Sequence, residues 1–124
     1  MNECELIDDL IRYLIGEVVD FSGYGVDLSG LTDFEQEVLC ETRKIRYGSV
    51  VTYSELAARI GKPNAARAVG NALSKNPLPI AIPCHRVVSK GGIGGYAFGV
   101  EAKRCLLKLE DQNPENAAAT RSDP

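Results

Sequence analysis

The stretch Pro79–Val88 constrains this chain more than any other. It reads Pro-Ile-Ala-Ile-Pro-Cys-His-Arg-Val-Val. A short apolar run ends at Pro83, which has no backbone N–H to give to a sheet ladder, so a buried strand must stop or bend there. This predicts Cys84 at the end of a rigid strand, where a scaffold can hold a reactive group and leave it reachable. His85 follows at once and is the one histidine of the chain.

A thiol reacts as its thiolate, and a free cysteine ionises at a pH of about 8.5. Something must lower that value or take the proton, and imidazole is the base most used near neutral pH. Adjacency alone does not make the pair, because neighbouring side chains on a strand point to opposite faces. His85 reaches the sulfur only if the chain turns at Pro83-Cys84 or a water bridges the two. The alternative is that Cys84 is a small buried hydrophobe, as free cysteines commonly are.

At 124 residues the chain is one domain with at most a small appendage. It has no apolar run of membrane-spanning length and no secretory signal, so a soluble, cytoplasmic protein without disulfides is expected. The four cysteines, Cys4, Cys40, Cys84 and Cys105, lack the close spacing of a zinc site. Cys40 and Cys105 fall in helical patterns and read as structural; Cys4 has no assigned role. No metal and no cofactor is expected. The net charge of −3 is unevenly spread. Residues 1–42 carry one basic side chain, Arg12, and eleven acidic ones, whereas residues 43–104 carry eleven basic ones against Glu55 and Glu101. A basic middle segment is the footprint of a phosphate-facing surface. Ordinary solvated charge is the alternative.

Leu6, Ile7, Leu10, Ile11, Leu14 and Ile15 make an i, i+3, i+4 face, which predicts an amphipathic helix over residues 4–15 that stops at Gly16. Residues 17–31 read as an extended connection. Thr32-Asp33-Phe34-Glu35 is a capping box opening a helix to about Lys44, with Phe34, Val38, Leu39 and Ile45 inward. Thr52-Tyr53-Ser54-Glu55 is a second one, with Leu56, Ala57 and Ile60 inward and Gly61 at its end. Pro63-Asn64 leads into a helix from Ala65 to about Lys75. Two short helices with a tight turn between them make a helix-turn-helix or a plain core hairpin. Small residues dominate the second helix, and its Gly70 costs about 1 kcal/mol relative to alanine. Close approach of another backbone, DNA or a neighbouring helix, would account for that cost. The glycine-rich loop Gly91–Gly95 ends at Tyr96, which either walls a pocket for a planar ligand or simply anchors the loop. A last helix over residues 100–110 has Ala102, Cys105, Leu106 and Leu109 inward. Residues 111–124 lack periodicity and are expected to be disordered.

Asn-Pro-x-Pro-Ile-x-Ile followed by Pro-Cys-His-Arg-Val resembles the active-site motif of the O6-alkylguanine-DNA alkyltransferases, also called methylated-DNA–protein-cysteine methyltransferases. The resemblance runs from about Thr32 to Glu110. It includes the Tyr-Gly turn, Thr-Tyr-Ser-Glu-Leu-Ala, Ala-Ala-Arg-Ala-Val-Gly, the Gly-rich loop with its tyrosine and the final Leu-Leu-x-x-Glu. It implies a mostly α fold with a small β element, a winged helix-turn-helix-like DNA-binding and catalytic domain over residues 32–110. Residues 1–31 would be a remnant of the family's N-terminal domain, whose zinc ligands have no counterparts here.

The implied function is single-turnover repair by a monomer of double-stranded DNA containing O6-alkylguanine, with no membrane partner. The helix-turn-helix would dock in the minor groove and the damaged base would flip into a pocket. Cys84 would accept the alkyl group, His85 would take its proton through water, Glu110 would stabilise the imidazolium, and Asn76 would bond within this network. Tyr53 would donate to the guanine ring and Arg67 would fill the base stack. Ser54, Lys62, Gly70, Asn71 and Lys90 complete the DNA-facing set. Pro79, Tyr96, Ala97 and the backbone around Val87 would contact the flipped base. Ala97 stands where many members have a serine donor. Three other readings remain: a lesion sensor that transfers nothing, a thiol hydrolase using Cys84, His85 and Glu110, and a helix-turn-helix regulator in which Cys84 is incidental.

Overall fold

The computed structural model describes residues 3–111. Its elements are α1 (Glu3–Leu14), α2 (Asp33–Thr42), β1 (Val51–Thr52), α3 (Tyr53–Arg59), α4 (Ala66–Leu73), a 3-10 turn at Cys84–Arg86, β2 (Val87–Val88) and α5 (Val100–Asp111). Two threonines set the helix starts. Thr32 Oγ1 accepts from the Glu35 N–H at 3.1 Å while the Glu35 carboxylate accepts from the Thr32 N–H at 2.9 Å. Thr52 and Glu55 repeat the pattern at 3.1 and 2.8 Å. Each box satisfies two backbone donors that a helix start otherwise leaves orphaned.

α2, α3 and α4 pack on one another around Leu39, Leu56, Val69 and Leu73. Burial of each such side chain stabilises the fold by about 2 kcal/mol. β1 and β2 pair in parallel, Val51 opposite Val87 and Thr52 opposite Val88. This short pairing fixes the residue that caps α3 against the residues that follow Cys84. A second cluster, built on Tyr13, Phe21, Tyr24 and Ala81, docks α1 and the connecting segment. Arg43 ties that segment down by donating to the carbonyls of Phe21 and Tyr24 at 3.0 and 2.6 Å.

Several expectations need correction. Residues 79–82 are not a strand: Ile80 sits at φ +75, a left-handed conformation costly for a β-branched residue, and only an isolated bridge joins Pro79 to Ile82. Cys84 therefore lies on a turn, not at a strand end. The inward face of α1 is Leu6, Leu10 and Tyr13, whereas Ile7, Ile11, Leu14 and Ile15 are exposed. The apolar stripe is wider than the surface the domain offers it. α4 stops at Leu73 because Lys75 and Asn76 turn tightly back onto the carbonyls of Ala72 and Leu73. Cys40 and Cys105 are helical as read, but exposed. α5 buries Lys103 and Glu110 and runs to Asp111. The disorder expected of the tail falls, from residue 112 on, outside the described residues.

Candidate active site and nucleic-acid interface

Pro83 ends the apolar run and the backbone folds at once. The Cys84 N–H donates to Ile82 at 2.8 Å and the Arg86 N–H to Pro83 at 2.9 Å. In a 3-10 turn successive side chains diverge by a third of a revolution. Cys84 and His85 consequently face different surroundings. Cys84 borders a cavity of about 360 Å3 with Tyr53, Gly70, Asn76, Tyr96, Ala97 and Phe98. His85 turns the other way, into the interior, and is fully buried.

Three groups hold the sulfur. Asn76 Nδ2 donates to Cys84 Sγ at 3.1 Å and to the Ile82 carbonyl at 2.8 Å, while its Oδ1 accepts from the Leu78 N–H at 2.9 Å. The amide orientation is thus fixed, with its donor end on sulfur. The Tyr96 hydroxyl also bonds to the sulfur, and Lys103 contributes its charge. Burial pushes the Cys84 thiol above its ordinary value; the Asn76 bond, the Lys103 charge and Tyr96 act the other way without overturning it. The resting sulfur is a thiol, poised among donors that favour the thiolate.

Behind the turn lies a buried polar cluster. His85 Nε2 is 2.6 Å from Glu110 Oε2. Arg86 donates Nε to Oε1 at 2.9 Å and Nη2 to Oε2 at 3.0 Å, and the Gly48 N–H reaches Oε1 at 3.2 Å. Burial alone would raise the Glu110 carboxyl; His85 and Arg86 outweigh it and hold it down to about 2. Glu110 is thus ionised and accepts only, so the His85 proton sits on Nε2. Burial lowers His85 against the pull of Glu110, whose charge Arg86 already neutralises. The imidazole is neutral near pH 7. Its Nδ1 lone pair has no hydrogen-bond partner among the described residues and is the atom able to accept a proton.

The cavity wall is latched. Lys103 Nζ is fully buried and donates to the carbonyls of Val87 at 2.6 Å and Gly95 at 2.9 Å. Burial lowers it to about 8, opposed by Cys84. Gly94 has φ +76, and a Cβ there would lie 2.8 Å from the Tyr53 hydroxyl and 3.1 Å from the Ser89 nitrogen. Only glycine lets this loop close over Tyr53.

α4 buries Val69, Ala72 and Leu73 and exposes Arg67, Ala68 and Asn71. Nothing inside the protein demands a glycine at position 70, since a Cβ there would make only an ordinary 3.8 Å contact with the Tyr53 ring. Ser54, Lys62 and Lys90 are exposed as well, Lys62 pairing with Glu37 at 3.3 Å.

Residues 33–112 match the family described as 6-O-methylguanine DNA methyltransferase, DNA binding domain. The chain belongs to that family. The methylated-DNA–protein-cysteine methyltransferase of Metallosphaera sedula is 47% identical over 105 residues, covering 85% of this chain and 65% of that protein. That of Haemophilus influenzae is 46% identical over 111 residues, covering 85% and 62%. The crystal structure of Mycobacterium tuberculosis OGT in complex with DNA superposes with a TM-score of 0.80 at 40% identity, covering 92% of this chain and 71% of that one. The chain spans less than two thirds of these two curated relatives.

Of the residues to which the methyltransferase resemblance gives roles, the fold gathers Cys84, Asn76, Tyr53, Gly70, Tyr96 and Ala97 at one cavity, with His85 and Glu110 behind it. Pro79 borders a neighbouring apolar depression with Tyr96 and Phe98. Val87 does not line the cavity; it is fully buried, its N–H bonded to Cys84 and its carbonyl to Lys103. Sequence reading missed Arg86 and Lys103, counted there as surface charge, and Tyr13, which is not part of the apolar face read for α1. Nothing in their spacing distinguishes them from solvated residues.

Proposed function

We propose that this chain repairs O6-alkylguanine in double-stranded DNA by taking the alkyl group onto Cys84, once per molecule and without a cofactor. One observation carries the reading: Cys84 borders a base-sized cavity between Tyr53 and Tyr96 while a neutral, buried imidazole stands on the same turn. The reaction is a displacement at carbon. Sulfur attacks the alkyl carbon, the bond from that carbon to O6 breaks, and its electron pair passes to guanine. The thiol proton moves through water to His85 Nδ1, and Glu110 stabilises the imidazolium that forms. Tyr53, at the cavity edge, donates a hydrogen bond to the departing purine as charge develops there, and the purine takes its proton from solvent water. What remains is a thioether, which nothing in the site can cleave.

Binding rests on the surface of α3 and α4. Ser54, Lys62, Arg67, Gly70, Asn71 and Lys90 face the minor groove, and the small residues of α4 let its backbone approach. Arg67 fills the stack after the base leaves it. An alkylated guanine pairs poorly, which lowers the cost of flipping. In this reading residues 32–110 bind and react as a monomer, on chromosomal DNA in the cytoplasm, and residues 1–31 support them.

The test is intact mass before and after incubation with a duplex containing one O6-methylguanine, followed by peptide mapping. One methyl group on the Cys84 peptide, without added cofactor, supports the transfer. Tighter binding to the lesion with no gain in mass makes the protein a sensor instead.

A further inference from the structure

Among the described side chains of α1, only Tyr13 is fully buried. Its ring stands edge-on to Phe21, Tyr47 and His85, with centroids 6.1, 6.0 and 6.4 Å away. Its hydroxyl donates to Glu110 Oε2 at 2.5 Å and lies 3.4 Å from His85 Nε2. The same oxygen takes the His85 proton at 2.6 Å and Arg86 Nη2 at 3.0 Å. Tyr13 and His85 therefore share one acceptor atom, although they are 72 residues apart in the chain.

Two consequences follow from simple electrostatics. Tyr13, His85 and Arg86 on Oε2, with Arg86 and Gly48 on Oε1, keep the carboxylate from rotating off the imidazole. Each donor also divides the pull that Glu110 exerts on the others, because a hydrogen bond to the charged form makes a carboxylate less basic. We propose that Tyr13 is a positioning residue of the transfer site: the N-terminal helix supplies the hydroxyl that holds Glu110 on His85 and keeps Nδ1 as the proton-accepting nitrogen. This inference rests on the alkyl-transfer reading. It makes α1 a working part of the site as well as a support for it.

The charged and titratable groups around the imidazole come from four places. Glu110 and Lys103 belong to α5, Arg86 and Cys84 to the 3-10 turn, Tyr13 to α1, and Tyr47 to the segment after α2. Burial and the Glu110 charge raise the ionisation of Tyr13 far beyond reach, so it remains a donor throughout. Without its hydroxyl, Glu110 draws the His85 proton more strongly and the imidazole protonates at higher pH.

His85 is the one histidine of the chain, so 15N-histidine labelling reports on it alone. Tyr13→Phe keeps the ring and removes the hydroxyl. The expected result is a His85 titration displaced to higher pH. Single-turnover transfer should fall about 10-fold at about pH 6, a deficit that narrows toward about pH 8. Phe21→Leu, which loosens the same cluster and removes no donor, should leave the titration in place. An unchanged titration in Tyr13→Phe, or a rate loss equal at every pH, overturns the proposal. If Tyr13→Phe does not fold, the wild-type protein still decides. A neutral imidazole with its proton on Nε2 and a slowly exchanging Tyr13 hydroxyl supports the role, and an Nδ1–H tautomer overturns it. The titration needs no DNA. Absence of transfer in the wild type would sink the functional reading, whereas an unmoved titration would sink only this one.

Discussion

Arg86 lies across Glu110 with two hydrogen bonds, at 2.9 and 3.0 Å, and both side chains are buried. A third bond, Arg86 Nη1 to the Ile45 carbonyl at 2.8 Å, ties the pair to the segment after α2. The pairing gives His85 a carboxylate whose charge is already matched. Burial is the larger cause that keeps an imidazole 2.6 Å from an ionised acid neutral, and this pairing adds to it.

Arg86→Met should destabilise the protein by about 3–5 kcal/mol, because it leaves a buried carboxylate without its cation. Arg86→Lys should not restore the loss, since an ammonium cannot span both carboxylate oxygens and the carbonyl together. Urea unfolding of the two variants checks this. A lysine variant as stable as the wild type would mean that charge alone matters.

Acid should weaken the fold in two steps. His85 is held below its ordinary value of 6.5 by burial, against the opposing pull of Glu110, so the unfolded chain binds that proton more readily and stability falls as pH drops below 6.5. Glu110 stands at about 2 against 4.5, where burial is outweighed by His85 and Arg86. Its contribution is complete above 4.5 and is lost as pH falls toward about 2. Transfer needs the neutral imidazole, so its rate should be level through pH 6.5 and decline only in more acid solution. Circular dichroism melts and single-turnover rates across this range measure both. Stability that is flat from neutral pH down to pH 3 would contradict the assignment.

The helix starts were legible because a capping box is a local device: Thr32 with Glu35 and Thr52 with Glu55 need nothing from the rest of the chain. The apolar faces of α2 and α3 were legible for the same reason, period matching burial. Cys84, His85, Asn76 and Glu110 were legible through the family motif, which places them without geometry. Arg86, Lys103 and Tyr13 were not, because their burial depends on partners far away in sequence. Lys103 needs the Val87 and Gly95 carbonyls, and Tyr13 needs Glu110. A bend at Pro83 was readable, but the lack of a strand before it was hidden, since Pro79–Ile82 has strand composition and only the left-handed Ile80 shows that the chain leaves that path.

Gly94→Ala should damage the site without touching the sulfur. The new Cβ would lie 2.8 Å from the Tyr53 hydroxyl at a backbone conformation of φ +76 that alanine rarely adopts. Backbone strain of this kind costs about 1–3 kcal/mol. The loop must shift, carrying Tyr96 away from Cys84 and displacing Tyr53. We expect transfer to fall at least about tenfold, with the melting temperature lowered by about 5–15 °C. A variant with full activity would show that the loop position does not govern the cavity.

Arg67 stands exposed near the start of α4, on the side away from Val69 and Leu73. No ion pair involving it occurs among the described residues, and its truncation to alanine should leave stability within about 0.5 kcal/mol. Its effect should appear only where a base must leave a duplex. Filling the vacated stack offsets part of an unstacking cost of a few kcal/mol, so Arg67→Ala should slow repair in double-stranded DNA by about tenfold or more. Reaction with free O6-benzylguanine needs no flipping and should keep nearly its full rate. Cys84→Ala gives the complementary result, duplex binding retained and transfer abolished on both substrates. Equal losses of Arg67→Ala on duplex and free base would remove Arg67 from the flipping step and return α4 to the role of a phosphate-facing surface alone.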